Sequence, residues 1–214
     1  MTQTASARIE ALCRRAPVIP VLVIERAEDA APLARALVAG GLPVLEVTLR
    51  TDAALDAIAA MAAVPGATVG AGTVLSPDDM ARARAAGAAF AVSPGQTGAL
   101  LDAADASSGL PLLPGAATAT EAMALLERGY TVQKFFPAEP AGGAAMLKAL
   151  AAPLPQVRFC PTGGIGLDNA PGYLGLPNVA CVGGSWVAPP GLIHRGEWAA
   201  IEALAGQAAA LSRG

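Results

Sequence analysis

The chain is 214 residues long, 54% apolar but only 4% aromatic, and carries 17 acidic against 14 basic side chains for a formal charge of −3. That length holds one large domain or two small ones, with a core built from aliphatic and alanine side chains. No Lys/Arg cluster, no apolar run near the roughly 20 residues of a membrane span and no signal-peptide block are present, which excludes nucleic acid and membrane partners and predicts a cytoplasmic protein acting on a small molecule.

Residues before Pro17 predict a leading helix. Eight β-type runs then follow at 18–24, 44–50, 68–75, 90–93, 110–114, 130–136, 157–160 and 179–182. Alanine-rich segments between them read as helices, for example 29–39, 51–63, 77–86, 120–128 and 143–151, with a weaker one at 168–174. Ser76-Pro77 and Thr118, three residues before Glu121, are helix-start signals, and Gly40, Gly87 and Gly129 are helix stops. Strands alternating with helices without a linker predict an α/β protein, specifically a (β/α)8 TIM barrel with an extra N-terminal helix, as a single domain over 1–214. The competing doubly wound sheet would more often show five or six strands and a glycine-rich phosphate loop after the first. Here the first run ends in Val23-Ile24-Glu25-Arg26, and Gly70-Ala71-Gly72 lacks the third glycine of a dinucleotide motif.

In the second run, alternation places Leu45, Val47 and Leu49 on one face and Glu46, Thr48 and Arg50 on the other. Helices cover the outside of a barrel, so the apolar set should face outward and the acid, hydroxyl and guanidinium inward. On an isolated sheet the same pattern would be an ordinary solvated edge.

The sixth run holds Lys134, one of only two lysines, the other being Lys148. Alternation groups it with Val132 and Phe136. If that face is interior, apolar neighbours disfavour the ammonium, and a free amine can condense with a ketone as an arginine cannot. A lysine near a strand end also reaches solvent by snorkelling, which is the plain alternative. Glu46 is the one acid clearly directed inward and so the candidate proton shuttle, while Arg50 is suited to a substrate carboxylate. The three together suggest a Schiff-base lyase acting on a 2-oxo acid.

Gly163-Gly164 after the seventh run and Gly183-Gly184-Ser185 after the eighth fall where barrels often bind phosphate through backbone N–H groups. Either pair alone is an ordinary turn; together they imply a phosphorylated ligand. The sole histidine, His194, lies in a polar surface-type segment, which argues against triads and multi-histidine zinc sites, and inward acids are too few for a carboxylate metal site. Cys13, Cys160 and Cys181 lack metal spacing and read as buried free thiols. Lys148 reads as a solvated helix residue, and Trp186 and Trp198 as packing anchors.

The stretches 41–51, 70–75, 93–95, 134–139 and 159–165 together resemble the 2-dehydro-3-deoxy-6-phosphogluconate (KDPG) aldolase and 4-hydroxy-2-oxoglutarate aldolase family, a likeness running in order from Val18 to Trp198. The resemblance implies a class I aldolase of the Entner–Doudoroff pathway that cleaves a phosphorylated 2-oxo sugar acid to pyruvate and glyceraldehyde 3-phosphate. It implies Lys134 as the Schiff-base residue and Glu46 as general acid and base. It places Arg50 and Thr73 on the pyruvate carboxylate, Pro94 and Phe136 on the pocket wall, and Gly163, Gly164, Gly184 and Ser185 on phosphate. It further implies a homotrimer with no metal and no organic cofactor. Thr162 matches gluconate-type members, whereas galactonate-type aldolases tend to carry an aliphatic residue there. Glu25-Arg26 and Gln96 depart from the family pattern, which leaves substrate breadth open. The alternatives are a galactonate-type aldolase, a phosphate-binding barrel isomerase or synthase without a Schiff base, and a non-catalytic sugar-phosphate sensor.

Overall fold

Short β-branched runs alternating with alanine-rich segments fold into parallel strands joined by helical crossovers. The computed structural model describes residues 2–106 and 109–212, so Met1, Ser107, Ser108, Arg213 and Gly214 of the expected 1–214 domain lie outside the described residues. In chain order the elements are α1 (Thr2–Cys13), β1 (Val18–Leu22), α2 (Ala27–Ala39), β2 (Val44–Thr48), α3 (Ala54–Ala62), β3 (Thr68–Gly72), α4 (Pro77–Ala85), β4 (Phe90–Val92), α5 (Gly98–Ala106), β5 (Leu112–Leu113), β6 (Gly115–Ala116), α6 (Ala119–Glu127), β7 (Val132–Phe135), α7 (Gly143–Ala151), β8 (Arg158–Pro161), α8 (Ala170–Leu174), β9 (Val182–Gly184), α9 (Pro190–His194) and α10 (Trp198–Ala209).

Every ladder between these strands is parallel. Six strands form one sheet in the order β5-β4-β3-β2-β1-β9, and three form another in the order β6-β7-β8. Single parallel bridges, Phe159 to Val179 and Thr162 to Gly183, connect the chain around β8 with the chain around β9. The result is an α/β protein whose parallel sheet curves at least into a half-barrel.

Three runs differ from expectation for identifiable reasons. The fifth, expected over 110–114, is two strands either side of Pro114, which has no N–H for the ladder although its carbonyl accepts from Lys134 N at 2.8 Å. The eighth, expected over 179–182, pairs with β1 only from Val182 onward, through Gly183 and Gly184. Strand propensity disfavours glycine, but a ladder needs only backbone. The second ends at Thr48, where the chain turns and Arg50 N bonds the Thr48 carbonyl at 2.8 Å. The sequence reading names no helix beyond the eighth run, yet α10 packs on α2, with Gly40 leaving the space that the backbone and side chains of α10 occupy.

The buried apolar side chains divide by strand parity. Leu45 and Val47 of β2, Val69 and Ala71 of β3, Phe135 of β7 and Phe159 of β8 belong to the large cluster shared with the helices. Ile19, Val44, Phe90, Val92, Leu113, Val132, Cys160 and Cys181 form a second cluster on the opposite, concave face, joined by Ile9 and Cys13 of α1. The amphipathic leading helix therefore covers the lower part of that face, and the polar side chains lie further along the strands, toward their carboxyl ends.

Candidate active site

Glu46 follows Val44 by two residues on β2, and Lys134 follows Val132 by two on β7, so both continue the concave face. Lys134 Nζ lies 3.2 Å from Glu46 Oε1, with side-chain exposures of 6% and 4%. An ion pair this buried is a poor source of stability, because the desolvation of both charges roughly offsets their attraction. The strand positions on either side of Lys134 are small: Gly115 of β6 and Cys160 of β8. The ammonium also sits 5.3 Å from the centre of the Phe136 ring.

Glycines inside the strands shape this pair. The concave positions of β3 are Gly70 and Gly72. A Cβ on Gly72 would overlap the Glu46 carboxylate, and one on Gly70 would overlap the Phe90 ring. The spacing of Gly70-Ala71-Gly72 is thus a period-2 vacancy on one strand face. Gly115 likewise leaves room for the Pro94 carbonyl.

Beside the Phe136 ring opens a cavity of about 370 Å³ that neither Lys134 nor Glu46 lines; its lining includes Arg50, Phe136, Thr162, Gly163, Gly164, Gly184 and Ser185. Seven of the expected site residues therefore share one wall system, and Lys134 joins it through Phe136. Thr73 is not in the lining but is held beside it: its hydroxyl accepts from Arg50 Nε at 3.2 Å. Thr73 has φ of 57°, the left-handed region a branched residue seldom adopts, so the turn after β3 is strained to present that hydroxyl. Pro94 does not line the cavity either; it follows β4 beside Gly115, the strand partner of Lys134. Thr48, expected inward as a site hydroxyl, instead donates to the Leu22 carbonyl at 2.9 Å and ties β2 to β1.

Thr162 is 6% exposed, and its Oγ1 lacks a hydrogen-bond partner although it borders the cavity. A Cβ on Gly183 would overlap that oxygen, so Gly183 is as necessary to the site as its neighbours. The loop Gly163-Gly164 has φ of 105° and 77°. No ion pair to Arg50 occurs among the described residues, which leaves its guanidinium available to a ligand carboxylate.

Fold and site together define a parallel α/β enzyme with a buried lysine and carboxylate on its concave strand face, beside a cavity lined in part by glycine. The chain belongs to the KDPG and KHG aldolase family, whose model matches residues 9–204. A 2-dehydro-3-deoxy-phosphogluconate aldolase of Pseudoalteromonas atlantica is 50% identical, the match covering 100% of both chains. Among solved structures, the 2-keto-3-deoxy-6-phosphogluconate aldolase of Zymomonas mobilis with 3-phosphoglycerate is 54% identical, covers 96% of each chain and superposes with a TM-score of 0.92. The KDPG aldolase of Legionella pneumophila, holding pyruvate as a covalent carbinolamine, is 50% identical over 94% of this chain and 98% of its own, with a TM-score of 0.91. No helix among the described residues is long and apolar enough to cross a membrane.

Proposed function

We infer that this chain cleaves 2-dehydro-3-deoxy-6-phospho-D-gluconate to pyruvate and D-glyceraldehyde 3-phosphate through a Schiff base on Lys134. The observation that carries the reading is the buried Lys134 and Glu46 pair, 3.2 Å apart, joined through the Phe136 ring to a cavity lined by the two glycine loops. In this mechanism the Lys134 amine attacks the C2 carbonyl and the carbinolamine loses water to an iminium, which accepts the electron pair of the breaking C3–C4 bond. Glu46 takes the proton from the C4 hydroxyl as the aldehyde departs. The enamine is then protonated at C3, and water returns the lysine and releases pyruvate.

Arg50 and Thr73 hold the pyruvate carboxylate, with Phe136 and Pro94 shaping the space around the methylene carbon. Gly163, Gly164, Gly184 and Ser185 receive the phosphate. The unpartnered Thr162 hydroxyl favours the gluconate-type substrate, since a polar group at C4 in the right configuration would satisfy it, a difference of about 1–3 kcal/mol between epimers. Cleavage of 4-hydroxy-2-oxoglutarate follows as a secondary activity because it needs only the pyruvate half of the site.

The same reading makes the sheet a closed (β/α)8 barrel in one domain over 1–214, with α1 as an extra helix across its amino end. Supporting closure, β5 and β6 flank Pro114 as a single strand position, and the bridge from Thr162 to Gly183 joins the ends of β8 and β9. The functional unit is a cytoplasmic homotrimer without metal or organic cofactor; a sedimentation mass other than three chains would refute the trimer. The central test is borohydride reduction with pyruvate, which should leave a stable adduct on Lys134. No adduct, or an adduct on Lys148, overturns the assignment and returns the isomerase and sensor readings to consideration.

A further inference from the structure

The Gly163-Gly164 loop is held from behind by Glu139 and Asn169, neither of which lines the cavity. Glu139 N donates to the Gly163 carbonyl at 3.1 Å, and a Cβ on Gly164 would come within 2.7 Å of Glu139 Cγ, so the glutamate stem lies flat against the loop. Asn169 Nδ2 donates to the Gly164 carbonyl at 3.0 Å and to Glu139 Oε1 at 3.4 Å. Asn169 Oδ1 accepts from Gly166 N at 2.8 Å. The buried Tyr173 of α8 donates its hydroxyl to the same Glu139 oxygen, and burial together with that carboxylate raises the phenol's pKa, so it remains a donor.

A trans peptide points its N–H opposite to its C=O. With the Gly163 and Gly164 carbonyls anchored in this network, the N–H groups of Gly164 and Ile165 point the other way, and both residues line the cavity. Neither N–H bonds to a protein acceptor among the described residues. We propose that Asn169 and Glu139 are positioning residues for phosphate recognition: they fix the loop so that its free N–H groups are aimed at the anion before it arrives. This rests on the aldolase reading above, and it names residues that touch no substrate atom.

The proposal separates binding of the phosphorylated end from chemistry at the ketone. In Asn169→Ala, KM for the phosphorylated substrate should rise on the order of tenfold with kcat changed far less, and the inhibition constant of inorganic phosphate should rise in parallel. The ratio of kcat/KM for the phosphorylated substrate to that for 4-hydroxy-2-oxoglutarate should fall by a similar factor. Asn169→Asp, nearly isosteric, keeps the acceptor for Gly166 but loses the donor to Gly164 and faces the Glu139 carboxylate, so it should show the same selective loss. Glu139→Gln weakens the acceptor that Asn169 and Tyr173 share, so it should move the ratio in the same direction by a smaller factor. An equal loss for both substrates, or no change in the ratio for either Asn169 variant, overturns the proposal. Borohydride trapping of pyruvate on the same preparations distinguishes this from failure of the aldolase reading: an adduct with an unchanged ratio sinks only the positioning role.

Discussion

Lys134 and Glu46 are buried at a cost that the fold has no structural reason to bear, since well-packed apolar side chains would serve stability as well or better. Lys134→Arg keeps a positive charge but not a nucleophilic amine, so it should fold yet lose cleavage by about a thousandfold or more; appreciable turnover would exclude the covalent route. The vacancy opposite the carboxylate is equally specific. Gly72→Ala places a methyl where the Glu46 oxygen sits, so either the carboxylate or strand β3 must move. Activity should fall about a hundredfold, with a stability loss of about 1–3 kcal/mol in denaturant titration. An unchanged kcat in that variant would mean the carboxylate is not held where the structure puts it. Lys134, Glu46 and Arg50 were legible in the sequence because polar side chains on alternate positions of an apolar strand demand an explanation. The roles of Gly72 and Asn169, and the room that Gly183 leaves for Thr162, were not, because they are space or support for another side chain and depend on which strands become neighbours.

At the scale of elements, α6 was read correctly from its first turn. Thr118 Oγ1 accepts from Glu121 N at 3.2 Å, and the Glu121 carboxylate accepts from Ala117 N at 2.8 Å and Thr118 N at 2.9 Å, a complete capping box. These bonds, led by the one from Ala117, lower the Glu121 pKa from its ordinary 4.5. A carboxyl lowered on folding adds stability above its unfolded value and loses it as the pH falls through the folded one. Glu121→Gln should therefore be less stable than wild type at neutral pH, with the gap closing in thermal melts taken progressively below pH 4.5. A gap constant with pH would show that the ionisation of Glu121 contributes nothing to it. Helix ends are written in local side chains and so can be read; β9 was misplaced because its ladder runs through two glycines, where pairing is decided by β1 rather than by propensity.

For the whole molecule, the alternation of strands and helices predicted the α/β class and the parallel ladders, since crossovers of this length leave few other arrangements. What alternation did not contain was the division of the sheet at Pro114 or the meeting of Asn169 with Glu139, thirty residues apart. The pair at the heart of the site is more dispersed still. Lys134 and Glu46 are 88 residues apart and sit on strands of different sheets, one in the order β6-β7-β8 and the other in the run from β5 to β9. Contacts of such long sequence separation form only after the entropy of closing the intervening chain has been met. The chemistry is accordingly a property of the last stage of assembly: on dilution from denaturant, the capacity to trap pyruvate should return no earlier than the tertiary fluorescence signal of Trp186 and Trp198. A partly folded chain then carries Lys134 without its carboxylate, and the buried pair exists only once the protein is whole.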